Sequence, residues 1–142
     1  MTTQAIGRPR PSRLGEEHGL VAKAMIFTLV FLAVLGVAAL DTASILSARY
    51  RVQDAADHAA EETAYAYGQN HDLRAACDMA VQLVSKADAS AKIPKNGCVI
   101  DPATGDVSIT VHKTADTLVA KRISALEKYT KASATSTAQP PP

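Results

Sequence analysis

An apolar run, AMIFTLVFLAVLGVAAL, occupies residues 24–40, and no charge interrupts it before Asp41. As a helix rising about 1.5 Å per residue it covers roughly 26 Å, and residues 20–23 bring it near the roughly 30 Å of a bilayer core. The run predicts a transmembrane helix over residues 19–41. Lys23 does not oppose the span, because its stem can lie along acyl chains while the ammonium reaches the headgroups. Both phenylalanines, Phe27 and Phe31, lie inside the run and there is no tryptophan. The remaining folded part, about 90 residues, is therefore too small and too poor in bulky side chains to bury such a helix as its own core. The competing reading is a cleaved secretory signal, with Arg8, Arg10, Arg13 and Lys23 as its basic region and Val37, Ala38 and Ala39 as its cleavage site. The run exceeds the roughly 7 to 15 apolar residues of such signals, which favours the span.

Orientation follows from the basic residues on the short flanks. Four precede the run and only Arg49 and Arg51 follow closely, an asymmetry that places the N-terminus in the cytoplasm and the rest outside the cell membrane. Residues 1–18, with Pro9 and Pro11 and no periodicity, read as a disordered cytoplasmic arm. Cys77 and Cys98 are an even pair in the part expected to meet an oxidising compartment, so a disulfide between them is predicted. Their spacing matches no zinc or redox motif.

Past Asp41 the helical pattern continues, since neither Gly nor Pro occurs before Gly68. At 100° per residue, Ile45, Ala48, Val52, Ala55, Ala56, Ala59, Thr63 and Ala66 share one face. Ser47, Arg51, Asp54, Asp57, His58, Glu61 and Glu62 lie opposite. A stripe of small side chains lets another helix backbone come close, so Ala48, Val52, Ala55, Ala59 and Ala66 are expected to form a helix-packing interface with a second polypeptide, the alternative being that the stripe packs only on the chain's own second helix. Asp41, at the outer end of the span, is expected to need only headgroup water.

A second helix is predicted from Leu73, Ala76, Cys77, Ala80, Val81, Leu83, Val84 and Ala87, ended by Pro94 and Gly97. Residues 98–100 and 106–112 read as a β-hairpin around the turn formers of 101–105. Its apolar face, Val107, Ile109 and Val111, requires a cover, and a third helix over 116–130 is expected to supply it with Leu118, Val119, Ile123, Leu126 and Tyr129. Residues 132–142, made of Ala, Ser, Thr, Gln and Pro, read as a disordered tail. The expected class is thus α+β: a long membrane helix continuing into an Ala-rich amphipathic helix, a second helix, a hairpin and a C-terminal helix. Residues 42–131 are expected to form an extracytoplasmic domain.

Three segments carry a resemblance: Glu17, His18 and Gly19 before the run, Leu40 and Asp41 closing it, and ARYRVQDAADHAA over residues 48–60. The chain resembles the TadE/TadG-like proteins of Tad (Flp) pilus assembly, membrane-anchored minor pilins or pseudopilins. Members typically show a Gly ahead of the span, an Asp at its outer end and a Gln-Asn/Asp-Ala-Ala-Asp-Ala-Ala block on the continuing helix. The resemblance covers about a third of the chain and implies a structural or assembly role beside other pilin-like subunits and the lipid bilayer. One departure bears on processing. Precursors cleaved by prepilin peptidase carry Glu at the fifth residue after the Gly, where this chain has Ala24.

Little points to catalysis, to a cofactor or to nucleic acid. Asp54, Asp57, His58 and Glu61 share a helix face, but a solvated face opposite an apolar stripe predicts the same residues as a metal site would. No nucleophile motif surrounds His18, His71 or His112, no phosphate-binding glycine pattern occurs, and the basic residues form no nucleic-acid patch. The competing class is a single-pass envelope sensor or adaptor whose outer domain binds a ligand or partner.

Overall fold

The computed structural model describes the backbone of residues 14–141 and the side chains of residues 19–141. Residues 1–13 of the expected arm and Pro142 of the expected tail lie outside the described residues. The elements are α1 (Leu14–Asn70), α2 (Leu73–Ala87), β1 (Cys98–Ile100), β2 (Val107–Thr114), a 3-10 turn (Ala120–Arg122), α3 (Ser124–Thr130) and β3 (Lys131–Ala138). The fold is α+β, and α1 takes in residues 14–18, which the sequence assigned to the arm.

The chain divides at Gly36. On the N-terminal side, α1 is long and apolar enough to cross a membrane. Every side chain from residue 19 to residue 36 is exposed, Phe27 at 75% and Leu29 at 66% among them.

Val37–Pro142 forms the second unit. Its part of α1 ends where His71 takes a left-handed conformation, φ 51°, and donates its N–H to the Tyr67 carbonyl at 2.8 Å. The helix runs through Gly68, where the sequence suggested a break. A Cβ there would stand 3.0 Å from Pro140, so the glycine makes room for the C-terminal segment and does not end the helix. Asp72 caps α2 by accepting from the N–H groups of Arg74 and Ala75 at 3.0 and 3.1 Å. One face of α2, Ala76, Ala80 and Val84, is buried.

The sheet is antiparallel with order β1-β2-β3. Cys98 pairs with Ile109 and Ile100 with Val107, so the predicted hairpin forms. Gly105, at φ 78°, supplies the positive φ its turn needs. The predicted disulfide is present, joining α2 to β1 between Cys77 and Cys98 with a Cα–Cα distance of 5.9 Å. Closing a loop of that size contributes about 3 kcal/mol in the chain-entropy account.

Three expectations are corrected. First, residues 131–138 are a strand, not a disordered tail: β3 pairs with β2 along eight positions, from Thr114 with Lys131 to Val107 with Ala138. Alternation explains it, since Ala132, Ala134 and Ala138 turn toward the core while Ser133, Thr135 and Thr137 alternate with them, and Thr110 and Thr135 hydroxyls meet across the strands at 2.8 Å. Second, the third helix is short and does not cover the sheet. Residues 121–129 are all exposed, including Ile123, Leu126 and Tyr129. Third, the cover comes from α1 and α2. Ala48, Val52, Ala56, Ala59, Ala60 and Ala64 share one buried cluster with Ala76, Ala80 and Val84 and with Val107, Ile109 and Val111. Ala55 is buried too and Ala66 half-buried. The alanine face is therefore filled within the chain, and it is not open to a helix of another polypeptide.

Ala56, Ala60 and Ala64 have no exposure at all, so added bulk has nowhere to go. Ala60→Leu is expected to destabilise this unit by about 1 to 3 kcal/mol, whereas Glu61→Leu on the exposed side should stay within about 0.5 kcal/mol. Denaturant midpoints of the detergent-solubilised chain measure both. Equal effects would refute close packing at residue 60.

Candidate functional site

The most constrained polar arrangement lies at Asp41, the first charge after the apolar run. Its side chain is only 7% exposed. One carboxylate oxygen accepts from the N–H of Leu118 at 2.6 Å, and the other from Val119 at 2.9 Å and Ala120 at 2.8 Å. The next N–H, of Lys121, donates to the buried Thr117 hydroxyl at 3.0 Å. A helical turn begins with N–H groups that have no partner inside it, and here four successive ones are met by side chains. The Ser44 hydroxyl, one turn along α1, donates to the Asp116 carbonyl at 2.6 Å. The segment between β2 and β3 is therefore clamped to α1 at its start, and the Ala115 N–H donates to the Thr130 carbonyl at 2.7 Å to close its base. Headgroup water is not what satisfies Asp41. The sequence showed Asp41 as the charge that ends the apolar run, but nothing in it joined positions 77 residues apart.

A second polar knot lies at the same, C-terminal end of β2, at Lys113. Asp88 is the C-cap of α2, donating its own N–H to the Val84 carbonyl at 2.9 Å. A carboxylate there opposes the helix dipole. The Lys113 ammonium donates to one oxygen, and the Ser90 hydroxyl and N–H donate to the other at 2.6 and 2.9 Å. The Lys113 hydrogen bond, followed by that of the Ser90 hydroxyl, outweighs burial and holds the Asp88 carboxyl well below the usual range.

The remaining predicted residues come together only in part. Asp54 and His58 line a small open cleft with Leu83 and Lys86, between α1 and α2. Among the described residues no group of three or more His, Cys, Asp or Glu is placed to hold a metal ion. A second open cleft is lined by Ser90, Lys92, His112, Lys113, Lys131 and Ser133. Of the expected interface, Ala48, Val52, Ala55 and Ala59 lie in the core, and Cys77 and Cys98 form the staple. No family model, no curated protein and no solved structure matches the chain.

Two outcomes test these knots. Asp41→Ala removes the acceptor for three N–H groups, so amide exchange at Leu118, Val119 and Ala120 should accelerate while that at Ile109 and Val111 in β2 stays slow. Unchanged exchange at 118–120 would show that the clamp is not formed. For Asp88, a folded pKa below its ordinary value means the native state gives up the proton more readily than the unfolded chain. The resulting stability is fully present above about pH 4 and is lost as the pH falls through the depressed folded value. Urea midpoints should decline below about pH 4, and Lys113→Met should flatten that decline. An identical acid profile in the variant would exclude the pair as its source.

Proposed function

We propose that this chain is a non-catalytic structural or assembly component of a Tad/Flp-type pilus or related secretion apparatus, held by one N-terminal helix in the cell membrane. Its N-terminus is cytoplasmic and the Val37–Pro142 unit lies outside. The observation that carries this reading is that one helix supplies both a fully exposed apolar stretch and the packing face of a disulfide-stapled domain. A helix exposing Leu20, Ile26, Phe27, Leu29, Phe31 and Leu32 needs an apolar surrounding, and a bilayer with neighbouring membrane helices provides it. The basic arm and the resemblance over residues 48–60 supply the orientation and the family.

The resembling block also acquires a physical meaning. Ala48, Val52, Ala55, Ala56, Ala59 and Ala60 are its buried members, so the pattern encodes the helix face around which the domain folds. Partner subunits would then meet the apolar run and the other side of α1, where Leu46 is 51% and Tyr50 69% exposed, one turn apart.

Two measurements test the proposal. With the native cysteines paired, a thiol introduced by Glu62→Cys should react with an impermeant reagent on intact cells and one introduced by Thr3→Cys should not; the reverse would overturn the orientation. Photocross-linkers at Leu32 and Tyr50 in native membranes should trap other chains with a comparable N-terminal membrane helix. Capture of a soluble envelope protein alone would favour the sensor or adaptor reading.

A further inference from the structure

We propose that the segment over residues 117–130 is a membrane-docking element that seats on the anionic headgroups of the leaflet at the outer end of α1, an inference that rests on the apolar run being a membrane span. The first observation is position. Residues 118–120 are hydrogen-bonded to Asp41, and Asp41 directly follows Leu40, the last residue of the run. Residues 20–40 cover about 31 Å as a helix, close to the roughly 30 Å of a hydrocarbon core, so the carboxylate that grips the segment stands at headgroup level.

The second observation is chemistry. Leu118 is 59%, Val119 43%, Ile123 43%, Leu126 41% and Tyr129 51% exposed, a concentration of apolar surface that nothing among the described residues covers. Leu126 and Tyr129, three residues apart, project to one side of α3, and Ile123 immediately precedes it as the N-cap residue. Thr130 is the only buried residue of this seven-residue helix, and a helix so short and so bare is not stable in water by itself.

The third is charge. The segment and its boundary carry Lys121, Arg122, Lys128 and Lys131 against two carboxylates, Asp116 and Glu127, the second of which is paired to Lys131 at 3.2 Å. Among the described residues Lys121, Arg122 and Lys128 make no ion pair, and the Lys128 ammonium lies 4.9 Å from the centre of the Tyr129 ring. Apolar side chains interleaved with unpaired cations and a tyrosine match the interfacial zone of a bilayer, where acyl surface and phosphate are both within reach. A protein partner would also cover apolar surface, but the tether to the end of the run puts lipid within reach of every copy of the chain.

The chain has no tryptophan, so one can be introduced as a sole reporter. The full-length protein carrying Leu126→Trp is reconstituted into vesicles of phosphatidylcholine with phosphatidylglycerol, with or without bromine on the acyl carbons nearest the headgroup. Val99→Trp is the reference, since Val99 is exposed on β1 and pairs with Ser108, six positions along β2 from Thr114. Brominated lipid should quench the tryptophan of Leu126→Trp at least about twofold more than that of Val99→Trp. Adding Lys121→Glu, Arg122→Glu and Lys128→Glu should remove most of that quenching while slow amide exchange in β2 shows the domain still folded. Equal quenching at both sites in protein that floats with the vesicles overturns the docking but leaves the anchor standing. Quenching that ignores charge reversal and is unchanged in pure phosphatidylcholine overturns the headgroup recognition. Shielding of the Leu126→Trp reporter in native membranes but not in pure lipid assigns the surface to a protein and overturns the proposal. A chain that fails to float with vesicles removes both the docking and the anchor.

Discussion

The Val37–Pro142 unit depends on the packing of one small-residue helix face against a sheet. The helix face is built from Ala48, Val52, Ala56, Ala59, Ala60 and Ala64, and the strands answer with Val107, Ile109 and Val111 on β2 and small residues on β3. Each alanine removes little apolar area from water, so the stabilisation must come from many contacts at short range and not from a few large side chains. Such an interface tolerates added bulk poorly, because Ala56, Ala60 and Ala64 have no exposed surface into which a larger side chain could extend. The disulfide between Cys77 and Cys98 fits this economy. It holds α2 against β1, and so limits the unfolded chain in a domain whose core contains no phenylalanine or tryptophan.

Polar contacts then fix the elements that alanine packing leaves free. Asp41 and Ser44 hold the start of the β2–β3 connection, and Asp88 with Lys113 ties the end of α2 to β2. Both carboxylates sit where a helix end or turn start presents unpaired backbone groups, and both span long distances in sequence. Pro140 completes the enclosure at the far end, where it meets both Gly68 and Gly105. Without those two glycines the strand β3 could pair, but the residues after it could not lie against the α1 terminus and the hairpin turn.

What could be read from the sequence was whatever local pattern encodes. The apolar run, the α2 stripe, the hairpin with Gly105 at its turn and the even cysteine pair all express themselves within a few residues or by simple pairing. β3 was hidden because Ala, Ser and Thr at low hydrophobicity resemble a solvated tail, although Ala132, Ala134 and Ala138 alternate with Ser133, Thr135 and Thr137 as an edge strand would. The hairpin's apolar face needed a cover, and both the stripe of Ile123, Leu126 and Tyr129 and the alanine face of α1 could offer one. Local pattern does not say which of them the sheet meets, and the structure puts the alanine face there and leaves the 117–130 stripe exposed. Asp41 was legible as a position but not as a contact, since hydrogen bonding to residues 118–120 is a property of the tertiary fold alone.

That contact begins one residue after the apolar sequence ends. Most domains joined to a hydrophobic segment are separated from it by a linker that absorbs rotation and distance. Here Leu40 is the last apolar residue and Asp41 is already part of the domain's hydrogen bonding. A change at the turn of residues 117–121 is felt at Asp41 through the three N–H groups it accepts, and a change in the helix at Asp41 is felt at the base of β2 and β3. Helix end, loop and sheet edge are thus mechanically one element.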